Sequence, residues 1–224
     1  DVYKRQLTGQ VKMNSILHAA LIEINIGSLS SWEVFAKRII DIIVSAVVLI
    51  IGSPIYLVLS LLVKTSSKGP ILFHQERIGL RGKPFQIIKF RSMYIDAEKN
   101  GPALSKEKDT RITPIGRFLR KSRLDETPQF WNVLKGEMSM VGPRPERSFF
   151  IEQIIQKAPQ YKYLHKVKPG ITSWGQVKYG YAENVDEMIE RLKFDLIYME
   201  NMSVLIDIKI MIYTILVVFQ GRGK

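Results

Sequence analysis

The sequence predicts a mainly helical α+β fold with one long apolar segment, and three observations carry that expectation. Residues 39–63, IIDIIVSAVVLIIGSPIYLVLSLLV, form an apolar run long enough to cross a hydrocarbon core, which takes about 20 helical residues. Short strand-like patterns lie at residues 71–74 and 85–90. Beyond residue 110 the chain carries repeated helix start and stop signals. With 224 residues there is room for one ordinary domain plus appendages, and a 46% apolar content excludes general disorder.

Taken in order, residues 28–36 read as a linker and 37–64 as a membrane segment. Gly52-Ser53-Pro54 interrupts the apolar run near its middle, where proline removes a helical hydrogen bond and glycine adds freedom. Lys37 and Arg38 precede the run while Lys64 and Lys68 follow it, so a simple span would put one basic pair on the wrong side. A re-entrant helix-break-helix hairpin keeps both pairs on the same side. By pattern alone, a kinked spanning helix and a buried soluble helix remain open. Asp41 lies near the hairpin mouth, where an acid is expensive in lipid, and is expected to pair with Lys37 or Arg38.

Residues 71–74 and 85–90 read as short strands around Gly79, Gly82 and Pro84, which makes a small β-hairpin. Two-residue alternation places Lys89 and Arg91 on one face, a paired grip for a diphosphate or simply two exposed strand cations. Residues 97–110 are polar and read as a surface loop.

The segment SRLDETPQFWNVLKGEMSMVGPRPE, residues 122–146, is the most informative. Asp125 is expected as a helix N-cap, with Thr127 and Pro128 in the first turn, Phe130, Trp131 and Leu134 on the apolar side, and Gly136 past the end. Taken alone, Asp125 and Glu126 are a cap and a first-turn acid. Cations change that reading. Arg117, Arg120, Lys121 and Arg123 crowd the segment before the pair, and Arg144 stands between Pro143 and Pro145 in a stiff loop suited to hold a phosphate. A helix start also favours anions.

Residues 149–157 are expected as a helix, 168–170 as a turn, and 186–201 as a helix with Met188, Leu192 and Leu196 apolar and Glu187, Glu190 and Arg191 polar. Trp174 reads as packed more readily than as a stacking platform. The stretch 205–219 is too short for an untilted span and suits either a membrane interface or a helix packed on the core.

A formal charge of +12 calls for a polyanionic partner: nucleic acid, an anionic membrane surface or phosphorylated substrates. No helix-turn-helix, zinc-ligand or RNA-binding signature supports nucleic acid. The chain has no cysteine, which removes disulfides, a thiol nucleophile and thiolate metal sites.

From about Lys37 to the C-terminus the chain resembles the bacterial sugar transferase family, the monotopic polyprenyl-phosphate glycosyl-1-phosphate transferases. The resemblance runs through KRIID (37–41), GPILFHQERIG (69–79), KPFQIIKFRSM (83–93), RITPIGRFLRKSRLDETPQFWNVLKGEMSMVGPRPE (111–146), VKPGITSWGQV (167–177) and FDLIYMENMSVLIDIKI (194–210), in the family's order. Arg123 and Thr127 stand where Ser or Leu is more usual, and Ser173 and Gly175 where Gly and Ala are frequent. The resemblance implies a re-entrant hairpin and interfacial amphipathic helices on the cytoplasmic face of the bacterial inner membrane, with residues 65–224 as catalytic domain. It also implies that residues 1–27, including His18, are the remnant of a preceding nucleotide-binding-like domain, with an assembly scar at the start and the rest of a larger protein absent.

For chemistry, the resemblance implies transfer of a sugar-1-phosphate from a UDP-sugar to undecaprenyl phosphate, with release of UMP. Asp125 would be the nucleophile and a ligand of Mg2+, Glu126 the general base or a positioning group for the second step. Lys89, Arg91, Arg120 and Arg144 would stabilise phosphoryl charge, and Asp195 would support catalysis or contribute to the metal site. A basic membrane-surface scaffold without turnover is the rival, and it has no need of Asp125, Glu126 or a rigid Arg144 loop.

Overall fold

The computed structural model describes residues 29–99, 101–104, 109–180 and 182–220, apart from the side chain of residue 219. The remnant domain expected over residues 1–27 lies outside the described residues, as does His18.

Helix α1 spans Ser31–Ser66. Ser30 caps it: its hydroxyl accepts the Glu33 N–H while the Glu33 carboxylate accepts the Ser30 N–H at 2.9 Å. This capping box draws residues 31–36, expected as linker, into the first turns of the helix. Residues 52–54 do not end the helix: the chain stays helical through Pro54, an internal proline of the kind at which helices bend. Pro54 has no N–H to offer the Ile50 carbonyl, and the Ser53 hydroxyl donates to that oxygen at 2.8 Å instead. The Tyr56 ring occupies the side-chain space that Gly52 leaves empty, and its hydroxyl donates to the Val48 carbonyl at 3.3 Å.

Both ends of α1 sit on the rest of the protein. Asp41 and Ser45 are buried in the first half, and Leu59 and Val63 in the second. Between them the apolar side chains face outward, with Ile50 and Ile51 at 72% exposure and Leu57 at 76%. Each of Leu59 and Val63 contributes about 1.5–3 kcal/mol through burial, against Phe90 and Leu119.

Strands β1 (Leu72–Ile78) and β2 (Pro84–Phe90) pair antiparallel, from Leu72 opposite Phe90 to Ile78 opposite Pro84. Helix α2 (Pro114–Lys121) starts on Thr113, whose hydroxyl accepts the Gly116 N–H at 2.9 Å. A 3-10 turn over Leu124–Gln129 runs into α3 (Phe130–Lys135), which ends at left-handed Gly136 (φ 86°). The buried face of α3 is Asn132 and Val133, whereas Trp131 is 49% exposed. Asn132 turns inward because it stitches α3 to β2: its amide accepts the Ile88 N–H at 3.2 Å and donates to the Gln86 carbonyl at 2.7 Å.

Strand β3 (Ser139–Val141) pairs parallel with β4 (Gly170–Thr172), a ladder the sequence pattern concealed by presenting residues 168–170 as a turn. Gly142 and Gly170 let the two backbones meet, since a Cβ on Gly170 would run into the Gly142 nitrogen. Helix α4 (Ser148–Lys157), a 3-10 stretch (Pro159–Lys166), α5 (Trp174–Lys178), α6 (Val185–Glu200) and α7 (Val204–Phe219) complete the chain. Their main core joins Phe150, Ile154, Leu164, Met188, Leu192 and Ile210. Trp174 packs edge-on against Tyr213 of α7, with Lys178 over its ring, which agrees with the packed reading.

Candidate active site

Arg123 takes a left-handed backbone (φ 60°), uncommon for a residue with a side chain, and this turn separates α2 from the 3-10 segment. Asp125 therefore lies inside the 3-10 turn; it is not an N-cap. Asp125 and Glu126 are both buried, at 6% and 8% exposure.

Their environments differ. Glu126 is surrounded by cations: Lys89 Nζ stands 2.5 Å and Arg144 Nη2 3.2 Å from Oε1, and Arg123 Nη1 lies 3.9 Å from Oε2. Burial alone would raise its carboxyl, but Lys89, Arg144 and Arg123 hold it well below the usual range. Asp125 has a buried Oδ1 with no hydrogen-bond partner. Burial, and then the Glu126 charge, push its carboxyl up to about 6 against the pull of Lys89, Arg120 and Arg123. One carboxylate is thus saturated and the other keeps a free oxygen.

Arg144 is held from behind. Glu146 pairs with Arg191 at 2.6 Å and Arg77 at 2.9 Å and comes within 4.0 Å of Arg144 Nε, while Arg77 also donates to the Pro145 carbonyl at 3.1 Å. Charges of opposite sign alternate from Arg191 through Glu146, Arg144 and Glu126 to Lys89. Arg191, expected on the polar face of its helix, is buried in this chain of ion pairs. Sequence reasoning missed Arg77, Glu146 and Arg191 as site residues; the signal available was that Arg77 and Glu146 lie in the quoted ERIG and GPRPE blocks.

Of the expected cations, Lys89, Arg120 and Arg144 converge on the pair, Arg120 acting on Asp125 while its Nε donates to the Ser92 hydroxyl at 2.9 Å. Arg117 and Lys121 are exposed. Arg91 does not join Lys89. Strand β2 ends at Phe90, the alternation ends with it, and Arg91 turns to donate to the Ser67 carbonyl (2.6 Å), the Ser67 hydroxyl (3.1 Å) and the Val63 carbonyl (3.2 Å), capping the end of α1. Asp195 is held by other partners: its Oδ1 accepts the Gly175 N–H at 2.9 Å, and burial pushes its carboxyl up to about 6 although Arg191 opposes the shift.

The charges in the first turns of α1 also pair differently from expectation. Asp41 forms no ion pair with Lys37 or Arg38; its Oδ1 accepts the Met140 N–H at 2.8 Å and the Ser139 hydroxyl at 3.1 Å. Lys37 instead pairs with Asp207 and donates to the Val141 carbonyl at 2.9 Å, and Arg38 donates to the Val133 and Leu134 carbonyls at 2.7 and 2.8 Å. The exposed carbonyls at the end of α3 and the strand backbone of β3 are better partners than a neighbour on the same helix.

Among the described residues no group of three or more His, Cys, Asp or Glu side chains is arranged to hold a metal. The free Asp125 oxygen nevertheless fits a hard divalent cation that keeps waters and substrate oxygens as its other ligands.

Residues 32–221 match the bacterial sugar transferase family. The chain is 40% identical over 219 residues to the UDP-N-acetylgalactosamine-undecaprenyl-phosphate N-acetylgalactosaminephosphotransferase of Aeromonas hydrophila, covering 97% of this chain and 51% of that protein. It is 41% identical to the UDP-glucose:undecaprenyl-phosphate glucose-1-phosphate transferase of Escherichia coli (92% of this chain, 46% of that protein). It is 37% identical to the protein of that same name from Caulobacter vibrioides (80% and 68%). The chain spans about half the length of the first two relatives. With the family's match extending over nearly all the described residues, the chain belongs to the bacterial sugar transferase family.

Proposed function

We propose that this chain transfers a sugar-1-phosphate from a UDP-sugar to a polyprenyl phosphate, undecaprenyl phosphate in bacteria, and releases UMP. The observation that carries the reading is the asymmetry of the pair: Glu126 is tied up by cations, whereas Asp125 keeps a buried, unpartnered oxygen. A lipid-phosphate scaffold has no use for that difference.

The proposed reaction has two displacements. Ionised Asp125 attacks the β-phosphorus; its new O–P bond forms as the bond to the bridging oxygen breaks, and that oxygen leaves with UMP. A phosphate oxygen of the polyprenyl phosphate then attacks the same phosphorus and releases Asp125, giving the lipid diphosphate sugar. Lys89, Arg120 and Arg144 stabilise charge on the phosphoryl oxygens. Magnesium, when bound, would neutralise the diphosphate, with the free Asp125 oxygen as its protein ligand. With its carboxyl held well below the usual range, Glu126 is a weak base, and its role in this reading is to fix Lys89 and Arg144 around the substrate.

We also propose that α1 enters one leaflet from the cytoplasmic side and returns. What supports this is the pairing of buried residues near both ends with an exposed apolar middle containing Pro54. Helix α7 would lie in the same interface through Leu205, Ile212 and Ile215, all more than half exposed. The test of function is turnover of a panel of UDP-sugars with undecaprenyl phosphate, magnesium and detergent-solubilised protein, read as UMP. Absence of UMP release with every sugar would end the reading.

A further inference from the structure

Helices α2 and α3 flank the Asp125–Glu126 turn, and each ends near a residue in the left-handed region. After α3 that residue is Gly136 (φ 86°), which carries no Cβ and adopts the conformation freely. After α2 it is Arg123 (φ 60°, ψ 13°), although glycine or asparagine is the usual choice at such a place. Among the described residues Arg81, exposed in the hairpin turn, is the other non-glycine with positive φ. A side chain on this backbone is strained, and the Arg123 side chain makes no capping hydrogen bond to the 3-10 turn that follows.

The turn sends neighbouring side chains to different places. Leu124 packs with Leu59, Val63, Phe90 and Leu119, whereas the Arg123 guanidinium lies beside the carboxylates, with Nη1 3.9 Å from Glu126 Oε2. That separation is beyond hydrogen-bond length. Glu126 is already held without it, because Lys89 and Arg144 both come within 3.2 Å of Oε1. Lys89, Arg120 and Arg123 act on Asp125, and Lys89, Arg144 and Arg123 on Glu126. Four cations therefore face two carboxylates, which leaves two positive charges in excess even when both acids are ionised. Glu146, behind Arg144, is itself matched by Arg77 and Arg191. Excess positive charge in a buried cluster is costly until an anion joins it. The Arg123 side chain keeps 20% of its surface open, so an anion can reach it.

We propose that Arg123 is a further substrate-binding residue, its guanidinium donating to the oxygens of a substrate phosphate beside Asp125. The proposal rests on the two-displacement reaction and adds a fourth cation to Lys89, Arg120 and Arg144. Two phosphates pass through that place in turn, the β-phosphate of the nucleotide sugar and the phosphate of the polyprenyl acceptor. A planar guanidinium fork suits either. The strained backbone then has a reason: glycine would relax the turn and lose the fork.

The test separates the side chain from the backbone. Arg123→Gly and Arg123→Asn both tolerate the left-handed conformation and remove the charge, whereas Arg123→Lys keeps it. Equilibrium binding of UDP and of undecaprenyl phosphate to the full chain in detergent is measured beside the melting temperature. Both neutral variants should bind at least one of the two ligands more weakly by about tenfold or more, the loss of one charge-assisted hydrogen bond, and should melt no lower than wild type. Arg123→Lys should recover affinity for that same ligand. Weaker binding of UDP alone assigns the fork to the nucleotide sugar, of undecaprenyl phosphate alone to the acceptor, and of both to a position they occupy in turn. Wild-type affinity for both ligands in both neutral variants overturns the proposal. So does a melting temperature that falls with the affinity, because it would make Arg123 a structural partner of Glu126. Failure of the wild-type chain to bind either ligand would remove the two-displacement reaction as well, a result distinct from variants that match a binding wild type.

Discussion

Asp41, in the long apolar helix α1, accepts the backbone N–H of Met140 at 2.8 Å, and Met140 is four residues before Arg144. The adjoining side chains of α1 act on the same surroundings. Lys37 holds the Val141 carbonyl, and Arg38 holds the two carbonyls that end the helix following the Asp125–Glu126 turn. The seating of α1 therefore fixes both segments whose side chains meet at the 3.2 Å contact between Arg144 and Glu126.

Asp41→Leu should accordingly loosen the site without touching substrate. It leaves the Met140 N–H buried without its acceptor, at a cost of about 1–3 kcal/mol. Asp41→Asn retains an acceptor oxygen. Hydrogen exchange over residues 139–146 should quicken in the Leu variant and remain near wild type in the Asn variant, with turnover reduced about tenfold only in the former. Equal exchange in both variants would dissociate Asp41 from the Arg144 loop.

Glu126→Gln tests whether this residue is a clamp or a proton acceptor. The amide cannot neutralise Lys89, Arg144 and Arg123, and breaking a buried ion pair from one side costs about 3–5 kcal/mol. A clamp predicts a clear fall in melting temperature together with weaker UDP-sugar binding. Loss of turnover at an unchanged melting temperature would assign Glu126 to proton transfer.

Much of the fold was legible because its signals are local. Gly136 ends a helix, residues 149–157 and 186–201 carry helical patterns, and the turn signals around Gly79 and Gly82 make the hairpin. The sequence offered Asp125, Glu126, Lys89 and Arg144 together, as a carboxylate pair among cations and through the quoted motifs, and the fold brings these four side chains into one cluster. What escaped is tertiary. Arg191 looks like a surface charge on its helix until Glu146, 45 residues away, is brought to 2.6 Å. Alternation put Arg91 beside Lys89, but the strand stops one residue short of it and the open carbonyls at the end of α1 claim its guanidinium. Proline signalled a break in α1, but not that the residues around it stay helical, with the Ser53 and Tyr56 hydroxyls donating to the Ile50 and Val48 carbonyls.

The topology of α1 can be read by labelling. Single Ser30→Cys and Ser67→Cys variants, which flank the helix, should both react only with thiol reagent supplied from the cytoplasmic side. Labelling of the Ser67→Cys variant from the periplasm would establish a span. Replacing Gly52 and Pro54 together with Leu restores a standard helical hydrogen bond and displaces the Tyr56 ring, so it should shift labelling at position 67 towards the periplasm.

Asp125→Asn separates catalysis from stability. The amide keeps the shape but loses the charge and the nucleophile, so UMP release should fall by at least about 10³ and no sugar-phosphate adduct should form when polyprenyl phosphate is omitted. Stability should move the other way, with a defined pH dependence. In the folded protein burial and Glu126 push the Asp125 carboxyl from its ordinary 3.8 up to about 6, so between those values the folded state binds more protons than the unfolded chain. The contribution of Asp125 to wild-type stability is therefore lost as pH rises from about 4 through about 6, by at most ~3 kcal/mol, and then levels off. An amide at this position does not titrate and has no such loss. The Asp125→Asn variant should melt higher than wild type at about pH 7.5, and the gap should close as pH falls towards about 4.5. A gap that widens on acidification would mean that Asp125 is stabilised as the anion in the free protein, and the burial argument for its raised carboxyl would fail.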